Sequence, residues 1–158
     1  MITIDEFMTP EPYTLRETDS IDDARKVMTE KHIRHVPVTD NDNHMLGLVT
    51  QRDVLAATEP VNVSHEGDPD IRLSDIMIRN VSSIHKTGSL RQAAMYLQSH
   101  KYGCLPVVSD DRLVGIITDT DFIAIAINLL EQVELCEEES VIEDTMDDLE
   151  LPVIEEDL

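Results

Sequence analysis

The chain has little of several residue types on which whole classes of protein depend. Its 158 residues include two cysteines, five glycines and no tryptophan. Cys104 and Cys136 form no C-x-x-C spacing, so the sequence predicts neither a disulfide framework nor a zinc site. It contains neither a glycine-rich phosphate loop nor a G-x-S-x-G nucleophile motif, which disfavours an enzyme.

Long apolar runs are also missing. The most apolar stretch, Phe122 to Leu130, is interrupted by Asn128. It is too short to cross a bilayer, which takes about 20 residues. The first residues carry neither the basic nor the apolar region of a signal peptide. We therefore expect a cytoplasmic, soluble protein that does not insert into a membrane.

Positive charge is scarce and ends at Arg112, after which no Lys or Arg follows. The net charge is −21, and residues 131–158 carry thirteen of the acidic side chains. Such a surface repels nucleic-acid phosphates and anionic lipid headgroups. The composition therefore predicts that neither nucleic acid nor a membrane surface is the partner.

What the chain does contain is one motif written twice. Residues 33–53 and 102–121 each hold an apolar-Pro-Val strand, a polar turn and a Gly-apolar-apolar-Thr-x-x-Asp segment. Three positions return with the same spacing in the second copy: Gly47, Thr50 and Asp53 as Gly115, Thr118 and Asp121. A repeated unit that ends in the same polar pair predicts two related halves with two related clefts.

Each copy predicts a strand-helix-strand-strand-helix unit, and hence an α/β (α+β) fold. Ser20 and Ser89 precede apolar helical patterns and suit N-caps. Pro37 and Pro106 lie inside the next strands, which favours edge or strand-start positions for those strands. Short helical turns are expected before the first strands, which are placed at 13–15 and 82–84.

The expected domain boundaries follow from the repeat and the turn-forming residues between its copies. Repeat one covers 1–57 and repeat two covers 71–130. A linker at 58–70 contains Pro60, Gly67 and Pro69. Packing the two copies face to face would bury the helix faces of both, so the chain needs both copies.

The segment Thr50-Gln51-Arg52-Asp53 supports two interpretations. In the structural one it is a capping box, in which the Thr hydroxyl accepts from a helical N–H and the acid reaches back. In the functional one, the Asp carboxylate accepts from two ribose hydroxyls while the helix start faces a phosphate. The two interpretations are compatible.

The repeats differ in the positive side chains near these motifs. Repeat one has Arg34, His35 and Arg52, whereas repeat two has neutral residues at the matching positions: Gly103, Cys104 and Thr120. Because Arg offers a two-pronged contact to phosphate, the cleft of Asp53 is the better equipped for an anionic ligand. The alternative for Arg34 and His35 is surface pairing with the abundant acids.

The six histidines form no H-x-x-x-H pair with an acidic partner, so the sequence gives only weak support for a metal site.

These motifs resemble a tandem pair of CBS domains, the Bateman module. The resemblance covers about residues 1–130 and rests on the segments 7–10, 33–38 and 47–53, with a weaker second set through Asp121. It implies two βαββα repeats packed about a pseudo-two-fold axis, and usually a disc-shaped homodimer. It also implies an adenosyl ligand (AMP, ADP, ATP or S-adenosylmethionine), with or without Mg²⁺, bound between the repeats.

The resemblance also implies roles for particular residues. Asp53 would hold the ribose with Thr50 and Arg52 beside it, and Arg34 and His35 would lie near phosphate. The base would be flanked by Val81 and Ser82 from the opposite repeat. In the second cleft the implied residues are Thr118 and Asp121 for ribose, and Pro12 and Tyr13 near the base. Arg79 departs from the family, which has Pro there, and Gly103 with Thr120 leaves the second cleft poor in cations.

The tail from Cys136 to Leu158 alternates acids with apolar residues and matches nothing in the family. Its composition favours a disordered solubilising tail. The alternative is an amphipathic segment that docks on a partner or on a second copy.

Three functions remain open from the sequence. The first is a regulatory adenine-nucleotide sensor without catalytic activity, which passes its signal to an unidentified regulated protein. The second is a structural dimerisation module with empty clefts. The third is a divalent-cation sensor built on the acidic surface.

Overall fold

The computed structural model describes the backbone of residues 1–58 and 71–147, and side chains as far as residue 137. The chain divides into two compact units, Met1–Asp121 and Phe122–Leu158. Apart from Thr58, the predicted linker lies outside the described residues, as does the end of the predicted tail from residue 148.

The first unit contains both repeats, and their elements follow each other in the same order. Repeat one has a 3₁₀ turn (Ile4–Glu6), β1 (Thr9–Pro10), α1 (Ile21–Lys31), β2 (His35–Thr39), β3 (Met45–Thr50) and α2 (Gln51–Thr58). Repeat two has α3 (Leu73–Ile76), β4 (Ile84–His85), α4 (Leu90–His100), β5 (Cys104–Ser109), β6 (Arg112–Thr118) and the start of α5 (Asp119–Asp147). The mixed α/β fold with two repeats is confirmed, and so are the short helical turns before the first strand of each repeat.

The repeats exchange their first segments. β1 of repeat one pairs with β6 of repeat two, where Thr9 lies opposite Ile116. Ile78 forms the matching bridge with Leu48 of β3, and the two residues donate to each other's carbonyls at 3.0 and 2.8 Å. Each repeat therefore completes the other, and neither half is closed by itself.

A pseudo-two-fold axis passes between the hairpins of the two repeats. His44 bridges Arg112, which occupies the same position in the second copy of the motif. A residue that contacts its own counterpart lies on a two-fold axis. Beside this bridge, the Asn43 side chain donates to the Leu113 carbonyl at 2.6 Å, and the Leu113 N–H donates to the Asn43 carbonyl at 2.9 Å.

The strands form a four-stranded sheet in the order β1-β6-β5-β4 and a two-stranded sheet of β2 and β3. Pro37 lies in β2, which pairs with β3 on one side and on the other has a single bridge, from Leu15 to Val38. The edge expectation is wrong for Pro106, because β5 is an inner strand. The pairing of β5 with β4 begins at Val107, one residue after Pro106. The backbone N–H that proline lacks is therefore not needed for this pairing.

The first strands are shorter than predicted. At 13–15 the extended pairing is reduced to a single parallel bridge between Leu15 and Val38. In repeat two the strand is β4, which begins at Ile84, the last residue of the predicted strand.

The main core packs helices of repeat one against its sheet and against the lead-in of repeat two. Its buried members are Ile21, Ala24, Met28, Val36, Val38, Val49, Val54, Leu73 and Met77. A smaller cluster joins Leu48, Ile116 and Cys104, with Val81 packed against it. Since Leu73 and Met77 come from repeat two, burial of apolar surface ties the repeats together.

The second unit is described as far as Asp147, and throughout that range it is the continuation of α5. The helix passes the predicted end of repeat two at residue 130. A disordered tail is therefore wrong for residues 136–147, and the rest of the tail lies outside the described residues.

Candidate nucleotide-binding clefts

The turn from β3 into α2 fixes the orientation of Asp53. The Asp53 N–H donates to Thr50 Oγ1 at 3.2 Å, while the N–H and hydroxyl of Thr50 donate to Asp53 Oδ2 at 2.9 and 2.8 Å. This is the reciprocal capping box of the structural interpretation.

The same arrangement closes the start of α5. The Thr118 N–H and hydroxyl donate to Asp121 Oδ2 at 2.8 and 3.2 Å, and the Asp121 N–H donates to Thr118 Oγ1 at 3.4 Å. Both copies of the motif are thus held by the same local hydrogen bonds.

In both boxes the capping bonds converge on one carboxylate oxygen. Within the described part of the chain, neither Asp53 Oδ1 nor Asp121 Oδ1 accepts a hydrogen bond. An ionised carboxylate has about four lone-pair sites, so each of these oxygens keeps acceptor capacity for a ligand. Capping therefore orients the side chain and leaves one oxygen available, so both interpretations of the motif are physically compatible.

A cavity of about 270 Å³ opens beside Asp121. We call it the Asp121 cleft. Its lining comes from both repeats: Thr9, Pro12, Tyr13, His32, Ile33, Arg34, His35, Ile116, Thr118, Thr120 and Asp121. The structure thus brings Pro12 and Tyr13 to the same cavity as Thr118 and Asp121, which is the grouping expected from the resemblance.

The cleft beside Asp53 consists of two cavities, which together we call the Asp53 cleft. The larger, about 580 Å³, is lined by Arg34, His35, Thr50, Gln51, Arg52, Asp53, Leu55, Ile78, His100, Lys101 and Tyr102. The smaller, about 210 Å³, is lined by Leu48, Ile78, Arg79, Asn80, Val81, Ser82, Tyr96, His100, Tyr102 and Cys104.

The expected base-flanking pair, Val81 and Ser82, lies in the smaller cavity and not in the one that Asp53 lines. The two cavities share Ile78, His100 and Tyr102 as walls. In the Asp53 cleft the expected ribose and base residues therefore line two different cavities that have walls in common. In the Asp121 cleft they line a single cavity.

Arg34 and His35 line both clefts. The Arg34 guanidinium lies 3.6 Å from Asp119 Oδ1, and both side chains are more than half exposed. The lining of the Asp121 cleft includes one Lys or Arg, Arg34, which comes to it from repeat one, so this cleft is poorer in cations than the Asp53 cleft but has one guanidinium. Comparing matched positions of the two repeats does not reveal the contribution of Arg34, because each cleft is lined by residues of both repeats.

His35 stands on the wall between the clefts. Its Nε2 lies 3.1 Å from the Tyr102 carbonyl, and because a carbonyl only accepts, this nitrogen carries the proton. Gly103, with φ +74°, has no side chain to obstruct the ring, whose Nε2 would lie 3.2 Å from an added Cβ. Burial lowers the pKa of His35 below its ordinary value, with a smaller opposing effect from the Tyr102 carbonyl.

Several lining residues were not singled out from the sequence. They are His32 in the Asp121 cleft and Tyr96, His100, Lys101 and Tyr102 in the Asp53 cleft. The rings of Tyr96 and His100 stack with centroids 4.0 Å apart. The signal for 101 and 102 was available, because these positions match His32 and Ile33 when the two N-cap serines are aligned.

Two further site expectations concern cysteine and metal. Cys104 is buried, and burial raises the pKa of its thiol to about 12, so the thiol stays protonated at neutral pH. Within residues 1–58 and 71–137, no three His, Cys, Asp or Glu side chains are grouped so as to hold a metal ion.

No helix in the described part of the chain is both long and apolar enough to cross a membrane.

Comparison with known families accounts for the repeat. A model of the CBS domain matches residues 4–59 and again 73–128. The chain belongs to the CBS-domain family. It is a tandem CBS pair, and the resemblance inferred from the motifs is confirmed.

Solved CBS pairs share the fold along most of this chain. A Vibrio cholerae protein provisionally assigned to acetoin utilization, AcuB, is 46% identical with a TM-score of 0.77, covering 85% of this chain and 98% of that one. CBSX2 from Arabidopsis thaliana, crystallised with AMP, is 28% identical with a TM-score of 0.71, covering 82% and 98%. The CBS pair of protein MJ0100, crystallised with 5′-methylthioadenosine and S-adenosyl-L-methionine, is 25% identical with a TM-score of 0.70, covering 79% and 95%.

Curated relatives include longer proteins. An uncharacterized protein from Methanocaldococcus jannaschii is 33% identical over 118 residues, which are 75% of this chain and 40% of that protein. A homoserine O-acetyltransferase from Methanocorpusculum labreanum is 32% identical over 118 residues, which are 74% of this chain and 23% of the enzyme. The chain thus spans well under half the length of these two relatives.

Proposed function

We propose that this CBS pair is a regulatory module that binds an adenosyl ligand and passes the signal to another protein, without catalysing a reaction. The carrying observation is that Asp53 and Asp121 each have one carboxylate oxygen fixed by a helix cap and the other without a partner among the described residues. Two vicinal ribose hydroxyls are donors suited to such an oxygen.

The proposed roles in the Asp53 cleft follow the chemistry of its walls. Asp53 accepts from the ribose, with Thr50 holding the carboxylate in place. Arg52 and Arg34 face the phosphate, and His35 lines the wall beside them. Val81 and Ser82 flank the base from the smaller cavity.

In the Asp121 cleft the proposed roles are distributed in the same way. Asp121 accepts from the ribose and Thr118 orients it, as Thr50 does for Asp53. Pro12 and Tyr13 lie near the base. The Tyr13 ring also carries the Lys31 ammonium 5.0 Å from its centroid.

The ligand class is supported by the solved relatives. CBSX2 was crystallised with AMP, and the MJ0100 pair with 5′-methylthioadenosine and S-adenosylmethionine. We therefore propose AMP, ADP, ATP or S-adenosylmethionine, with or without Mg²⁺. The protonated thiol of Cys104 supports a non-catalytic role, and acetyltransferase activity is not proposed because the match covers 23% of that enzyme.

A thermal-shift panel with AMP, ADP, ATP, S-adenosylmethionine, NADH and Mg²⁺ tests this function. A ligand at a hundred times its Kd stabilises the native state by roughly 2.7 kcal/mol. Asp53→Ala should reduce the response to the active ligand, because bonds to a charged acceptor contribute about 1.5–3 kcal/mol each.

Asp23→Ala is the matched control. Asp23 forms the same capping box with Ser20, at 2.9 and 3.2 Å, but lines neither cleft. It should lower the melting temperature and leave the ligand response intact. If none of the adenosyl compounds shifts the wild-type protein, the nucleotide-sensor function is excluded.

The second candidate, a dimerisation scaffold with empty clefts, is favoured by the exposed apolar surface of α5. Its side chains there include Ile123, Ile127, Leu129, Leu130, Val133 and Leu135, each 52–61% exposed. An exposed apolar surface of this extent on one helix ordinarily marks an interaction site. We propose a homodimer formed through this helix, which is compatible with either function.

The third candidate, a divalent-cation sensor, has no such support within the described residues, which hold no group of three potential ligands.

We place the protein in the cytoplasm. Its 46% identity to the Vibrio cholerae protein makes acetoin utilization the first process in which to seek the regulated protein.

A further inference from the structure

We propose that Arg34 is one anion-recognising residue shared by both clefts, so that a phosphate held against it in one cleft weakens binding of a second phosphorylated ligand in the other. The inference rests on the proposed function and specifies which ligands the two clefts hold together.

The position of Arg34 supports sharing. It lies just before β2 and lines both the Asp121 cleft and the larger cavity of the Asp53 cleft. Its contact with Asp119 is long, at 3.6 Å, and exposed, so it is weak enough for a phosphate to replace.

The pseudo-two-fold axis does not supply a second copy of this cation. The positions that match Arg34 and Asp119 in the other repeat are Gly103 and Gln51. One guanidinium therefore serves two related clefts. Since its planar fork binds one phosphate in the two-pronged geometry, two phosphorylated ligands compete for it.

The clefts differ in the cations that they hold besides Arg34. Arg52 and Lys101 line the Asp53 cleft, and Arg79 lines its smaller cavity. The matching positions for Arg52 and Lys101 in the Asp121 cleft are Thr120 and His32.

Arg34 is therefore the one Lys or Arg among the residues that line the described Asp121 cleft. Lys31 is close, but its ammonium lies over the Tyr13 ring. Phosphorylated ligand should fill the Asp53 cleft first. The Asp121 cleft then suits an adenosyl ligand without phosphate, because its cation is already engaged.

Calorimetric titration with AMP and with adenosine tests the inference. In the wild-type protein we expect one tight AMP per chain and a second at least tenfold weaker. Asp53→Ala should leave the Asp121 cleft with Arg34 disengaged, so that its AMP binds more tightly than the second AMP of the wild type. Occupation of both clefts by adenosine should show no such interference.

The test is completed by adding Arg34→Gln to two variants that each keep one cleft intact, Asp53→Ala and Asp121→Ala. In the Asp121 cleft, Arg34→Gln should raise the Kd for AMP about ten- to a hundredfold, the range expected when hydrogen bonds to a charged group are lost. The Kd for adenosine should not change. In the Asp53 cleft the loss should be smaller, because Arg52 and Lys101 remain. Arg25→Gln is the control, because it removes the same charge from an exposed pair with Asp22 outside both clefts. It should not change the affinity for either ligand.

Two AMP molecules bound independently, or an Arg34→Gln effect confined to one cleft, would overturn shared recognition. Adenosine binding without any gain from phosphate in either cleft would also overturn it, and would leave the proposed function standing. If neither AMP nor adenosine nor S-adenosylmethionine binds the wild-type protein, the proposed function itself fails.

Discussion

Gly47 and Gly115 occupy equivalent positions where the first segment of the opposite repeat comes close to a strand. A Cβ at Gly47 would lie 2.8 Å from the Ile78 carbonyl oxygen and 2.8 Å from Met77 Sδ. At Gly115 the three nearest atoms all belong to the Met8 side chain. The repeated glycine that was visible in the sequence therefore reflects close packing between repeats.

The two sites should respond differently to alanine. Gly47→Ala should lower the free energy of unfolding by about 1–3 kcal/mol, because the Ile78 carbonyl belongs to a paired backbone and cannot move away. Gly115→Ala should cost less, since a methionine side chain can change rotamer. Urea unfolding at one pH measures both, and equal losses would contradict this explanation.

His35 should make stability depend on pH. Its pKa is lowered by burial, so the unfolded chain binds more protons than the native one between the folded pKa and the ordinary value near 6.5. Stability should therefore fall as pH decreases through 6.5 and recover as it rises.

His35→Gln keeps an N–H donor for the Tyr102 carbonyl and removes the titration. Urea midpoints at pH 7.5 and pH 5.5 should differ less in this variant than in the wild type. If the two proteins lose the same stability on acidification, the partly buried imidazole of His35 is not responsible.

The helix caps show how much of an element is encoded locally. Ser20 and Ser89 were both expected to cap helices, and both do, because a short polar side chain satisfies an N–H that the helix leaves unpaired. Their strengths differ. Ser20 and Asp23 bond reciprocally, whereas Ser89 Oγ accepts one bond from Gln92 N–H at 3.4 Å.

Ser20→Ala should therefore destabilise the protein by about 1 kcal/mol, and Ser89→Ala by less. The hydrogen bonds from Ser20 lower the pKa of Asp23, so the contribution of its carboxylate is present above the ordinary value of 3.8 and is lost as pH falls below it. Urea unfolding at pH 7 and pH 3 should show the two variants becoming more alike in acid. A larger loss for Ser89→Ala would contradict this ranking.

Strand pairing was encoded less directly than the caps. A proline in a strand favours an edge, yet Pro106 lies in an inner strand because β4 pairs with β5 over a short ladder that begins only at Val107. The pairing of Thr9 with Ile116 joins the first strand of the chain to the last, and the local pattern around Thr9 contains no signal for it. Pairings of this kind depend on which distant strand packs alongside.

At the scale of the whole molecule, the apolar surface of α5 predicts a homodimer. We expect the wild-type protein to sediment as a dimer at micromolar concentration. Ile127→Glu combined with Leu130→Glu should shift it toward monomer, because an unpaired charge in an apolar interface is costly.

The matched control is Ile127→Leu with Leu130→Ile, which conserves volume and polarity and should keep the dimer. Sedimentation equilibrium distinguishes the outcomes, and circular dichroism checks that the helix is retained. A wild-type protein that is monomeric at every accessible concentration would exclude this dimer.

The sequence by itself determined the repeat, the capping interpretation of the Thr50–Asp53 segment, and the family, because each depends on residues close together in the chain. Only the tertiary structure decided which repeat completes which cleft. Arg34 was assigned to the Asp53 cleft alone, and it lines both. The physical reason is the exchange of first segments about the pseudo-two-fold axis, which brings side chains from different repeats onto one wall.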